Sequence, residues 1–456
     1  VNRTALLRTA LLVGLAPLAA CHGEGGAAPP TAERAPAPSA AAAPAPGGES
    51  PLTTARRLAL SKPGGARPID HDIERMQKGL ETAPDRSSDT WVLLGRAWVR
   101  KARQESDPGF YLNAKACADV ALDLAPQNRA AMNLIGMVLI NQHKFDDARD
   151  LAQQILRLAP EDLQALGTLS DAYLEVGRYD EAVTAAQKMM DMKPGLPSYS
   201  RASYLAWLHG DERTALENIH EAIDAGRDPK DPEPRCWAMA QAAMIFWHKG
   251  DYPGADAGFN ATLKECSDYP PALVGRARVA LGAGDFARAR EALELAFKQS
   301  PLTETAWLLG DARAGAGDAK GAEDAYAQAV KIGRATDLRT FALYLATKDR
   351  DHDEALRAVE TEKKVRDDIY TEDTLAWALY RAGRFADARA ASDKATALGT
   401  KDARLLYHAG AIRIALGDKA AGEKLVKEAL ALNPKFDVTG SAEAAKLTVE
   451  ERPPQR

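Results

Sequence analysis

The side chains best suited to chemistry are few and dispersed along this chain. It has 4 cysteines and 8 histidines. A metal site needs His, Cys, Asp or Glu at ligand spacing, and acid–base catalysis needs a titratable group held against a partner. The sequence shows no HExxH, no GxSxG, no glycine-rich phosphate loop and no CxxC pair. His209 and His248 fall in "AWLHG" and "FWHKG", just after Trp207 and Trp247. A place at a helix end, near the last carbonyls, is the reading for both. Acid pairs such as Asp146–Asp147 and Asp367–Asp368 read as solvated faces or helix starts. The expectation is a protein with no catalytic centre, no metal and no cofactor. Binding chemistry remains, carried by aromatic rings that make up only 6% of the chain.

The elements that must position those rings are helices. Alanine is abundant and β-branched residues are sparse, which favours helix. At 456 residues the chain is long for one globular core. Its net charge of −5 argues against a general nucleic-acid binder, which would carry a basic face.

The first residues read differently. "VNRTALLRTALLVGLAPLAAC" has Arg3 and Arg8, then an apolar run from Ala10 to Ala20 that is short for a bilayer span. It reads as a secretory signal over 1–20. Its ending, Leu18 to Cys21, resembles the lipobox of bacterial lipoproteins. The resemblance implies that the Cys21 thiol receives a diacylglycerol and becomes the mature N-terminus; an ordinary signal that happens to hold a cysteine is the alternative. Val1 is read as a start codon translated literally. Residues 21–52 form an Ala/Pro/Gly tether with almost nothing to bury, about 30 Å long as a flexible coil.

Self-similarity organises the rest. A small residue recurs, mostly 33 or 34 apart, at Gly95, Gly136, Ser170, Ser203, Ala243, Ala277, Gly310, Ala376 and Gly410, with Leu343 in the eighth place. Seven residues later comes a turn residue, glycine at 177, 210, 250, 284, 317, 383 and 417, and five beyond that stands alanine, as at Ala182 and Ala388. Proline often closes the unit, as at Pro160 and Pro434. The pattern resembles the tetratricopeptide repeat, most literally in "WVLLGRAW" from Trp91 to Trp98. The resemblance spans about Asp70 to Pro434 and implies an all-α fold: an α-α superhelix of about ten helical hairpins. The eighth unit is the weakest, with Leu343 for the small residue and Arg350 for the turn glycine. Two gaps are wide. "VRKARQESDPGFY" is read as a lengthened first turn. "DAGRDPKDPEPRC" contributes a joint at 227–235 between sub-arrays at 53–226 and 236–434. A half-repeat is expected to cap the N-terminal end, and a short helix within 435–456 the other.

In this family the first helix of each repeat lines a concave groove. Its groove positions here are Tyr204, Trp207, Trp237, Met244, Trp247, Trp307, Tyr344, Tyr370, Trp377, Tyr380 and Tyr407, with Asp171, Glu175, Asp311, Asp337 and Asp373 among them. The carboxylates would favour a neutral or basic guest. The family's carboxylate-clamp set of Lys, Arg and Asn is not matched. The alternative is that these rings only pack one first helix on the next. Cys236 opens the first helix and Cys266 closes the second helix of one antiparallel hairpin, which puts them side by side, where either a disulfide or two free thiols fits; Cys117 reads as a small buried hydrophobe. The implied function is a lipid-anchored scaffold that binds proteins or peptides at a bacterial envelope membrane. His22 after the cysteine favours the outer membrane by analogy. An assembly factor for a secretin or pilus machine, and an accessory domain or cryptic enzyme, are the rival readings.

Overall fold

The computed structural model describes residues 49–83 and 87–448. The signal, Cys21 and most of the tether lie outside them. Among the described residues there are 23 helices and no strand, and none of the helices is long and apolar enough to cross a membrane. Two leading helices, α1 (Pro51–Ala59) and α2 (Pro68–Thr82), precede ten hairpins. These are α3 (Ser88–Glu105) with α4 (Phe110–Leu124), α5 (Arg129–Asn141) with α6 (Phe145–Leu158), α7 (Leu163–Glu175) with α8 (Tyr179–Met192), and α9 (Leu196–Leu208) with α10 (Glu212–Ala225). Next come α11 (Glu233–His248) with α12 (Tyr252–Glu265), α13 (Pro270–Ala283) with α14 (Phe286–Gln299), and α15 (Thr303–Gly315) with α16 (Ala319–Thr336). The last three are α17 (Leu338–Thr347) with α18 (His352–Glu362), α19 (Ile369–Arg381) with α20 (Phe385–Ala395), and α21 (Ala403–Ala415) with α22 (Lys419–Leu432); α23 (Val438–Leu447) closes the array.

Each hairpin follows from a few local choices. The turn glycine takes the left-handed conformation, φ +73° at Gly177, which ends the first helix at little steric cost. In five repeats the next residue is aspartate, and in four of them it caps the second helix. Asp211, Asp251, Asp285 and Asp318 each accept a backbone N–H of the second helix and so cap it. Small residues let the two helices close. Gly310 leaves room for the Tyr326 ring, which an added Cβ would overlap. Ser170 and Ser203 donate their hydroxyls to the Ala182 and Ala215 carbonyls of the paired helix, 2.9 and 2.8 Å away. No hairpin buries both faces alone, so the apolar surface runs from one to the next.

Three sequence expectations are corrected. In the first repeat the extra residues lengthen mainly the helix, and the turn by a single residue. The left-handed residue is Ser106, four beyond the usual offset, which is one added turn of helix. In the eighth repeat the left-handed residue is Asp349, with φ 53°. The seven-residue offset therefore returns to Ala342, fully buried, rather than Leu343. One additional turn residue is absorbed because Asp351 also takes positive φ and caps α18. At the N-terminal end the cap is two helices. The Ala59 carbonyl at the end of α1 accepts from Trp98 Nε1 at 3.1 Å and Gln77 Nε2 at 3.2 Å.

The segment at 227–235 does not interrupt the core. Ile219 and Ala222 before it share one apolar cluster with Ala238, Ala242 and Ile245 after it. It meets the other insertion instead. Arg103, on the added turn of α3, lies 3.6 Å from Asp231 and 3.7 Å from Glu233. Glu233 accepts from the Tyr269 hydroxyl at 2.8 Å.

The array also touches itself. The turn inside one repeat docks on the loop that follows the repeat five further on. Ser300 donates to the Ser106 carbonyl at 2.8 Å. The Asp367 amide donates to the Glu175 carbonyl at 2.9 Å. Thr400 donates to the Leu208 carbonyl, and Asn433 to the Trp247 carbonyl at 2.8 Å. Three turn glycines sit at this seam. A Cβ on Gly177 would lie 2.5 Å from the Asp367 carbonyl oxygen, on Gly210 2.5 Å from that of Gly399, and on Gly250 2.8 Å from that of Leu432. Gly284, Gly317, Gly383 and Gly417 have the same positive φ and open space beside them.

The glycines therefore separate two costs. Gly284→Ala should lose only the left-handed penalty, about 1–2 kcal/mol. Gly177→Ala should lose that plus the displacement of a backbone carbonyl, at least about 1 kcal/mol more. Urea denaturation of the two variants checks this, and equal losses would show that the seam adds nothing to stability.

Candidate functional site

Because the array closes on itself, its concave side is a partly enclosed cavity rather than an open groove. The cavity has a volume of about 700 Å³, within the range of small-ligand pockets. First helices supply most of its wall. Tyr204 and Trp207 come from α9, Trp237, Met244 and Trp247 from α11, Trp307 from α15 and Tyr370 from α19. Trp207, Trp247 and Trp307 present one edge and are otherwise buried; Tyr204, Trp237, Met244 and Tyr370 are half-buried. Trp207 donates to the Tyr370 hydroxyl across the seam at 3.4 Å.

Four of the expected rings do not reach the cavity. Tyr344 is fully buried between Trp307 and Tyr326, with centroids 5.6 and 5.8 Å away. Trp377 is stacked between Tyr380 at 4.7 Å and His408 at 4.0 Å. Tyr407 is buried against Phe436 and donates to Glu443 at 2.7 Å. These rings pack α17, α19 and α21 on their neighbours and on the C-terminal cap. Helix-facing and cavity-facing positions differ by a rotation that spacing alone does not specify.

The carboxylates are also not free. Asp171 accepts from Arg201 Nε at 2.7 Å. Glu175 pairs with Arg366 at 2.7 Å. Asp311 accepts from Lys348 at 2.6 Å and from the Tyr326 hydroxyl at 2.7 Å. Asp373 faces His408 at 2.9 Å, and Asp337 caps α17. The pull on a basic guest expected from these groups is spent inside the protein. The cations doing this were missed in part. Arg278, Arg339, Arg366 and Arg404 all line the cavity. Arg278 pairs with Glu304, and Arg339 with Asp368 at 2.8 Å. Arg339 and Arg404, like Glu304 and Tyr370, are the second residue of their helix, a position the repeat pattern points inward. That signal was present in the sequence. Arg366 lies in a loop after a second helix, where no periodicity marks it.

Burial shapes the charges. It pushes the Glu175 carboxyl up to about 7, outweighing Arg366. It pushes His143 down to about 3, with Arg366 and Arg339 adding to the effect. It pushes His248 down to about 4 against the pull of Asp402, which is 3.6 Å away. Burial opposes ionisation of Asp368 as well, yet Arg339 and Arg366 hold that group below the usual carboxyl range. Cys236 and Cys266 form a disulfide with Cα atoms 6.3 Å apart, joining the outer ends of α11 and α12. Cys117 is free and buried. No group of His, Cys, Asp and Glu among the described residues is arranged to hold a metal ion.

Residues 133–197, 274–337 and 374–435 match the tetratricopeptide repeat family. Those three stretches carry tetratricopeptide repeats, and the described chain folds as an all-α superhelix of helical hairpins. No curated protein matches the chain. Among solved structures, yeast Tom70 aligns at 16% identity and TM-score 0.39, over 84% of this chain and 96% of its own. PilW, a widely conserved type IV pilus biogenesis factor, aligns at 17% and 0.37, over 45% and 93%. The human IFIT1 dimer with PPP-AAAA aligns at 12% and 0.45, over 84% and 94%.

The shifted groups set a pH dependence. Folded Glu175 holds a proton that the unfolded chain releases above 4.5, so its contribution is full below 4.5 and lost as pH rises through about 7. His143 and His248 act oppositely: their contribution is full above 6.5 and lost as pH falls toward 3 and 4. From pH 6.5 to 5 each histidine removes about 2 kcal/mol, while Glu175 restores about 2 kcal/mol. Glu175→Gln should then lose about 2 kcal/mol more than wild type over that interval. Urea titrations at the two pH values check this; parallel losses would place Glu175 at an ordinary carboxyl value.

Proposed function

We propose that this protein is a non-catalytic interaction scaffold, held at a bacterial envelope membrane by lipid on Cys21, that receives a segment of a partner protein in its interior cavity. One observation carries the reading. Six aromatic rings and a methionine from the first helices of four repeats line one cavity, together with Phe286 and Phe436. Rings offer large contact area at low entropic cost and are typical anchors. With the cavity's charges paired internally, apolar contact selects the guest and the ion pairs set its polar limits. The repeat architecture supports protein binding in general. The net charge of −5 favours a protein over a nucleic acid as ligand. The anchor rests on the apolar run ending at Cys21, and His22 favours the outer membrane. Service to a secretin or pilus machine is a narrower form of the same reading, supported only by the anchor sequence and the tether.

Cavity binding is checked by a photoreactive phenylalanine at Trp237, with Leu158, 57% exposed, as the control position. A discrete adduct from native membranes is expected at Trp237 alone, reduced fivefold or more by Tyr204→Ala with Met244→Ala. Equal adducts at the two positions would remove the cavity as the site. Anchoring is checked by fractionation: Cys21→Ser should move the protein from membranes to the soluble fraction, and full retention would remove the lipid.

A further inference from the structure

We propose that the seam is a clasp, and that the superhelix opens along it to admit a polypeptide segment to the aromatic wall. The proposal rests on the binding reading above for its purpose, but its geometry stands apart. Two kinds of contact hold this molecule together. Within the stack, neighbouring hairpins share continuous apolar clusters of alanine, leucine and aromatic side chains. Across the seam, apolar contact is confined to a few side chains, with Ile369 and Leu405 joining the cluster that holds Trp207 and Leu208, and the remaining contacts are polar. Beside Gly177 they comprise the Asp367 amide on the Glu175 carbonyl at 2.9 Å, the Ile369 amide on the Tyr179 hydroxyl at 2.8 Å, and Arg366 on Glu175 at 2.7 Å.

The two kinds respond differently to separation. Opening the stack exposes apolar surface at about 25 cal/mol per Å². Opening the seam exchanges hydrogen bonds and ion pairs for water, at a net cost of about 1 kcal/mol each, and exposes the apolar contacts of Ile369 and Leu405, fewer than those shared by neighbouring hairpins. Water also regains charges whose burial is itself unfavourable. The motion needs no hinge. Curvature of a repeat array is the sum of small rotations between neighbours, so a few degrees at each of five interfaces parts the edges. The seam residues Glu175, Arg366, Trp207, Tyr370, His248 and Asp402 also line the cavity. Parting the seam therefore opens the cavity along its side, which lets a chain enter without threading from an end.

Two exposed positions flank the seam, Asp180 beside Tyr179 and Lys364 beside Arg366. Spin labels attached there through unnatural amino acids in the full chain report the separation by pulsed electron resonance. The clasp predicts a short population and a second, longer one that grows at least threefold in Arg366→Ala and in 1 M salt. A single short separation in wild type at every salt concentration overturns it, and so does a folded Arg366→Ala with an unchanged distribution. Should Arg366→Ala fail to fold, the salt series on wild type decides. Opening without any adduct at Trp237 would leave the clasp standing and remove the binding reading, so the two ideas fail separately.

Discussion

The contact on which the site depends is the approach of three glycine backbones to three carbonyls one coil away. At Gly177, Gly210 and Gly250 there is no room for a side chain. That closeness fixes the pitch of the superhelix: the edge of one coil rests on the edge of the next, at a constant offset of five repeats. A slightly wider pitch would leave an open groove, as in the arrangement expected from the repeat pattern. At this pitch the concave surface becomes an interior, and the loops of repeats eight to ten become part of its wall.

Closure has electrostatic consequences. A carboxylate on an open groove is solvated and available to a ligand. The same carboxylate inside a closed coil is partly desolvated and must find a partner within the protein. Glu175 meets Arg366, Asp368 meets Arg339 and Glu304 meets Arg278. Burial then displaces the titration of those groups whose compensation is incomplete, Glu175 upward and His143 and His248 downward. The rings keep their binding character because an aromatic face needs no counter-ion.

The ten hairpins were legible because each is specified locally. A small residue, a left-handed turn residue and an alanine at fixed spacing define a hairpin wherever they occur. The phase was misread where the spacing changed. Asp349 takes the left-handed role without being glycine, which moved the small position of the eighth repeat from Leu343 to Ala342. Ser106 does so after one more turn of α3, which placed added helix where a longer loop was expected. For the site, repeat spacing marks the first helices but not which face of each helix a ring takes. Tyr204, Trp207, Trp237, Met244, Trp247, Trp307 and Tyr370 face inward, whereas Tyr344, Trp377, Tyr380 and Tyr407 pack helix on helix.

By itself the sequence determined that the described chain is a row of antiparallel helical pairs, where most of them turn, and that none could fold without its neighbours. Those properties depend on residues within about forty positions of one another. The tertiary structure alone decided that Gly177 serves the seam while Gly284 does not, that the two insertions meet at Arg103 and Glu233, and that Arg366 neutralises Glu175. These outcomes depend on the accumulated rotation of five stacked repeats, a sum of small packing angles that no short stretch of residues encodes.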